Sequence, residues 1–168
     1  MSIVPTIKPA ISPLKIDDSV IESREGLLQI VELRRAIESE TAALAAQRRS
    51  KVQLAEIEVA FRAIDAEVAA GGDGVAADVA FHRAIAQATR NPYFLKTLEF
   101  LTQYLTSGTR MTRANEARRI EFMRQVREEH SVIVEAIRRR DAVAARNAAA
   151  THMFNVAKRL GSTEFQST

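Results

Sequence analysis

The 168-residue chain has no cysteine and no tryptophan. Without thiols it can form neither disulfides nor thiolate metal sites, so any metal must be held by His, Asp and Glu. The same absence fits a cytoplasmic location, where disulfides are rare. Aromatic residues make up only 5% of the chain, which argues against a β-sandwich core. No apolar run approaches the ~20 residues needed to cross a bilayer. The N-terminus also lacks the apolar segment of a secretory signal, so no membrane partner is expected.

What remains is an ordinary soluble composition, 46% apolar and 27% charged, of a length that suits one domain with a sizeable core. Alanine is abundant, which favours helices packed closely on small residues. The net charge of +3 invites a nucleic-acid reading. The arginines, however, are spread as Arg48-Arg49, Arg118-Arg119, Arg124, Arg127 and Arg138–Arg140. Several fall in last helical turns, where cations complement the helix dipole. A solvated basic face accounts for them better than a DNA-reading one.

Three of the four prolines lie in residues 1–20, which read as a tail or linker remnant. The domain proper is expected over 21–161, with 162–168 as a C-terminal tail. A first helix is expected from about Glu22 to Glu38, with Leu27, Ile30, Arg34 and Ile37 on one face. Ser39 is a plausible N-cap for a continuation to Arg48-Arg49. Ser50 and Gln53 have capping-box spacing before a helix that stops at Gly71-Gly72. Another helix follows from about Val75 to Thr89. Asn91 and Pro92 then supply an N-cap and a first helical residue for a fifth helix reaching about Arg113. The last two, about Glu116–Arg140 and Ala142–Leu160, meet at Asp141, a suitable N-cap. No alternating β-branched strands occur. The architecture is an all-α antiparallel bundle of six or seven helices.

The chain has three histidines. His130 and His152 stand eleven residues before and after Asp141, about 16 Å along each helix at 1.5 Å per residue. A turn at Asp141 brings them to one level. His130 shares a stripe with Met123, Val126, Ile133 and Ile137, and His152 one with Ala145, Ala148 and Val156, so both face inward. Asp78 and His82 are neighbours at i and i+4, on a face extended by Val75 and Ile85. Burying a carboxylate and three imidazoles is costly unless they are paired, and a divalent cation would remove that cost. Each residue also has an ordinary explanation: hydrogen-bonded core histidines, and a first-turn aspartate complementing the helix dipole. The pattern alone leaves both readings open.

The segments "DVAFHRAIAQATRNPYF" and "EEHSVIVEAIRRRDAVAARNAAATHM" resemble the C-terminal effector domain, the FCD domain, of the FadR subfamily of GntR transcription regulators. The matching positions are Asp78, His82, Asn91-Pro92, Glu129-His130 and His152, together with Arg34 and Glu38 at Arg-x₃-Glu spacing. The likeness covers about residues 22–160. It implies a sensor in which Asp78, His82, His130 and His152 hold a divalent metal beside a central cavity. A small organic acid entering that cavity would complete the metal's shell. Three nitrogens and one oxygen suit zinc, nickel, manganese or iron, with zinc favoured. Arg34 would either meet a second carboxylate of the effector or pair with Glu38. Tyr104, Ser107 and Arg110 would either line the pocket or form a solvent-facing strip. The resemblance also implies a homodimer.

The family normally carries an N-terminal winged helix-turn-helix of some seventy residues, where this chain has about twenty. DNA binding is therefore expected only through a domain outside this sequence. Two rival functions are a metalloenzyme using the same four ligands to activate water, and a metal-free dimerisation bundle. Against the first, there is no His-Glu-x-x-His helix, and Glu129 lies about 100° round the helix from His130.

Overall fold

The computed structural model describes residues 15–16, 23–102 and 120–161. Among them are six helical segments and no strand: α1 (Arg24–Arg48), α2 (Lys51–Ala69), α3 (Val75–Ala88), α4 (helical over 92–102), α5 (Ile120–Arg138) and α6 (Ala142–Gly161). The all-helical class follows the apolar periodicity, and none of the described helices is long and apolar enough to cross a membrane.

Local chemistry sets most of the helix ends. Ser23 starts α1 by accepting from the Gly26 amide. Ser50 and Gln53 form a complete capping box at α2. The Asn91 side chain accepts from the Tyr93 amide at 3.0 Å, and Asp141 caps α6 through the Ala144 amide at 2.9 Å. One boundary differs from expectation. No helix starts at Ser39, because α1 runs unbroken from Arg24 to Arg48. The Ser39 hydroxyl instead donates to the Arg35 carbonyl one turn back, a bond open to serine inside a helix as well as at its start.

The arginines at the α1 and α5 ends are structural. Arg140 occupies the left-handed region (φ 58°), a position that usually falls to glycine. The Asp141 amide reaches back to the Ala136 carbonyl and that of Arg140 to Ile137, which closes the helix. The Arg140 guanidinium then donates to the Gln47 and Arg49 carbonyls at the end of α1. Arg49 returns the favour, donating to the Ile137 and Arg138 carbonyls at the end of α5. Arg48 reaches the Thr89 carbonyl after α3. Cations meeting unpaired C-terminal carbonyls complement the helix dipoles, which is the role the sequence assigned them over DNA contact.

The helices pack as a bundle in which α6 lies along α1 and pairs with α5, while α3 packs on both α2 and α1. The main core joins Phe81, Ile57, Ile85, Ile133 and Ile137 to a set of buried alanines, Ala42, Ala45, Ala46, Ala88, Ala136, Ala145 and Ala149. With no side chain beyond Cβ, these alanines let helix axes approach closely. That closeness brings polar residues from four helices to a common centre.

Candidate metal centre

Four helices contribute to a buried polar cluster: Arg34 and Glu38 from α1, Asp78 and His82 from α3, Glu129 and His130 from α5, and His152, Asn155 and Arg159 from α6. Asp78, His82, His130 and His152 are all buried, as their apolar stripes required. The hairpin at Asp141 brings His130 and His152 together, with their Nε2 atoms 3.3 Å apart. His82 completes a triad whose nitrogens all lie within 4.8 Å of one another. Asp78 stands beside two of the three, its Oδ1 3.6 Å from His130 Nε2 and its Oδ2 3.9 Å from His82 Nε2. The fully buried Phe81 packs against the His130 and His82 rings, at 4.7 and 5.3 Å between centroids.

Two further carboxylates hold the imidazoles from behind. Glu38 Oε2 lies 2.7 Å from His82 Nδ1, and Glu129 Oε2 lies 2.7 Å from His152 Nδ1. Each carboxylate is in turn fixed by an arginine. Arg34 Nε donates to Glu38 at 2.5 Å. Arg159 grips Glu129 with both terminal nitrogens at 3.0 Å, and Asn155 adds a fourth donor at 2.8 Å. Burial alone would raise the pKa of both glutamates. Arg34 and His82 outweigh it for Glu38, and His152 and Arg159 for Glu129, so each is held at about 2. Burial would lower His82, but Glu38 and then Asp78 raise it above its ordinary value. For His152 burial prevails: its pKa is lowered despite the hydrogen bond to Glu129, with the neighbouring His82 charge adding to the effect.

These groups suit a divalent cation. His82 Nε2 is buried without a hydrogen-bond partner, an arrangement that costs free energy unless something else occupies the nitrogen. The Nε2 atoms of His130 and His152 face each other at 3.3 Å, a spacing that calls for a proton or a cation between them. Two nitrogens bound tetrahedrally to one ion at about 2.1 Å would stand roughly 3.4 Å apart, close to what is seen. The fixed charges agree as well. With the imidazoles unprotonated, as metal binding requires, Glu38, Asp78 and Glu129 outnumber Arg34 and Arg159 among the described residues by three to two, leaving one negative charge for a cation to offset.

The expected effector contacts fare differently. Arg34, its side chain 12% exposed, is engaged by Glu38, the pairing foreseen as its alternative role. Tyr104, Ser107 and Arg110 lie outside the described residues. The space that the described residues leave beside Glu38, His82, Leu98 and His152 is only about 10 Å³, room for about one water. The larger central cavity is therefore not seen among them.

Sequence reasoning missed Asn155 and Arg159, placed Glu129 in the family pattern without giving it a role, and did not see Glu38 as a support for His82. Glu129 does point away from His130, as its angular offset required, and that direction leads it to His152 on the neighbouring helix. The available signal was the stripe His152, Asn155, Arg159 at three- and four-residue spacing, which puts three polar groups of α6 on one face.

Comparison with known proteins identifies the family of the chain. Residues 29–155 match the model of the FCD domain. The chain belongs to the FCD domain family. It is 28% identical over 139 residues to the HTH-type transcriptional regulator LutR of Bacillus subtilis, covering 82% of this chain and 64% of that protein. It is 33% identical over 127 residues to the putative L-lactate dehydrogenase operon regulatory protein of Escherichia coli, covering 74% of this chain and 47% of that one. The chain thus spans between about half and two thirds of the length of these relatives. A solved structure titled Streptococcus agalactiae GntR superposes with a TM-score of 0.67 at 25% identity, over 86% of this chain and 62% of that one. The FCD domain is a regulatory domain of GntR-type regulators, and these relatives are regulators rather than enzymes.

Proposed function

We propose that this domain is a metal-dependent sensor of a small organic acid, serving a GntR-type transcription regulator whose DNA-reading winged helix lies outside this sequence. His82, His130 and His152 with Asp78 would hold the ion, zinc by preference. Bound there, the ion would supply a strong local positive charge to which an effector carboxylate can bind. The observation that carries the reading is the convergence of three buried imidazoles, one with an orphaned Nε2, beside a buried aspartate. A divalent ion would turn the local fixed charge from one negative to one positive, and so favour an anion. The name of the Escherichia coli relative points to a 2-hydroxy acid of the lactate type as the first effector to try. Arg34 would meet the far end of the acid by exchanging its Glu38 contact. A homodimer, as in the resemblance, would carry the conformational signal between DNA-reading heads.

A sensor needs only different affinities in two conformations, so its ligand leaves unchanged. Zinc-loaded protein should be incubated with a panel of hydroxy and dicarboxylic acids, reading both melting temperature and chemical conversion. The expected outcome is stabilisation by at least one acid without product, lost on chelation and weakened in Arg34→Ala. Steady turnover that disappears in Asp78→Ala would replace the sensor by a metalloenzyme.

A further inference from the structure

If the three imidazoles hold an ion, as proposed, their rings must also be held in orientation. Glu129 is adjacent in sequence to a ligand candidate, His130, yet serves a different one, His152 on the next helix. It accepts four hydrogen bonds, from His152, Asn155 and both terminal nitrogens of Arg159. Its pairing with Arg159 is the two-pronged fork that a planar guanidinium makes with a carboxylate, stronger and more directional than a single contact. Arg159 is itself buried, 6% exposed, and the part-buried Glu129 joins α5 to α6 through this fork.

An ionised carboxylate can only accept. A neutral imidazole against it must carry its hydrogen on Nδ1, and its lone pair is then on Nε2. His152 Nε2 is the atom that faces His130 Nε2 at 3.3 Å. We infer that Glu129, clamped by Arg159 and Asn155, is the positioning residue that fixes His152 in the Nδ1–H tautomer with Nε2 presented to the centre. Carboxylates behind ligating histidines orient the ring and raise its basicity, and their loss commonly weakens metal binding 10- to 100-fold.

The test uses the full chain with uniformly ¹⁵N-labelled histidine. Long-range ¹H–¹⁵N correlation spectra of chelator-treated protein report which ring nitrogen of His152 carries hydrogen, independently of any metal. Zinc affinity is measured in parallel by competition with a chromophoric chelator. In the unsubstituted protein His152 is expected as the Nδ1–H tautomer. In Glu129→Gln the amide fills the same space but can donate as well as accept, so the two His152 tautomers should mix and zinc affinity should fall about tenfold or more. Glu129→Ala should show the same mixing and a larger loss. Should Glu129→Ala fail to fold, the isosteric Glu129→Gln still decides. An unchanged His152 tautomer, with zinc affinity within twofold in Glu129→Gln, would overturn the inference. A protein that shows the Nδ1–H tautomer, loses it in Glu129→Gln, yet binds no zinc would support the positioning role and overturn the metal-dependent sensor.

Discussion

On the α5–α6 flank of the histidine cluster, Glu129 accepts from four donors on α6, and its arginine is buried. On the α1–α3 flank, Glu38 accepts from two, His82 across the helix interface and Arg34 one turn away on its own helix. The two flanks share a plan, arginine to glutamate to the Nδ1 of a histidine, but differ in how many groups depend on the carboxylate. The first ties two helices together with a fork. The second uses a single arginine contact within one helix. The α5–α6 carboxylate is thus tied down by a fork from a second helix, while Glu38 depends on one arginine contact within its own helix and one histidine across the interface.

The largest expected effect separates the flanks by removing each carboxylate in turn. Taking one partner from a buried ion pair costs about 3–5 kcal/mol, because the remaining charge stays desolvated. Glu129→Ala removes the acceptor of four hydrogen bonds and should fall at the upper end of that range. Glu38→Ala leaves Arg34 able to swing outward and His82 able to give up its proton, so it should fall at the lower end. Urea unfolding of chelator-treated variants measures both. An equal or larger cost for Glu38→Ala would erase the distinction.

A smaller effect should appear in pH dependence. Without metal, His82 is held above its ordinary pKa and His152 below it, so NMR titration should show His82 protonating first as pH falls from 8. The raised His82 contributes stability that is full below the unfolded value near 6.5 and is lost as pH rises through its folded value. The lowered His152 works in the opposite sense, its neutral form losing stability as pH falls below 6.5. The two oppose each other in metal-free protein. Zinc, however, requires both imidazoles unprotonated. Its stabilising increment should therefore shrink toward acid, by about 1.4 kcal/mol per pH unit for each proton displaced. An increment that is constant from pH 8 to 5 would mean that the histidines do not bind the ion. If His152 protonated before His82, the flanks would be exchanged.

The fold was largely legible because its signals are local. Ser50 with Gln53, Asn91 with Pro92, and Asp141 each mark a helix start by side-chain chemistry that needs no tertiary information. The depth of His82, His130 and His152 was legible for the same reason, since helical periodicity alone puts each on an apolar stripe. Ser39 misled because the same hydroxyl bonds a backbone carbonyl inside a helix as readily as it caps one. Glu129 was hidden for a different reason: its partner is 23 residues away on another helix. Its role depends on the register of α5 against α6, which only packing sets. Arg159 was hidden with it. It reads as a last-turn cation, and nothing in the sequence distinguishes a buried fork from a solvated charge.

Sensing as proposed depends on His82, His130 and His152 with Asp78 holding a divalent ion. The most direct test is the melting temperature of the chelator-treated protein before and after one equivalent of zinc, in the unsubstituted chain and in His152→Ala. An ion bound only by the native state stabilises it in proportion to RT ln(1 + [L]/Kd), about 4 kcal/mol at a thousandfold excess over Kd. The melting temperature should rise by several degrees and saturate at one zinc per chain, with no rise in His152→Ala. A melting temperature of the unsubstituted protein that ignores both chelator and zinc would contradict metal binding at this site.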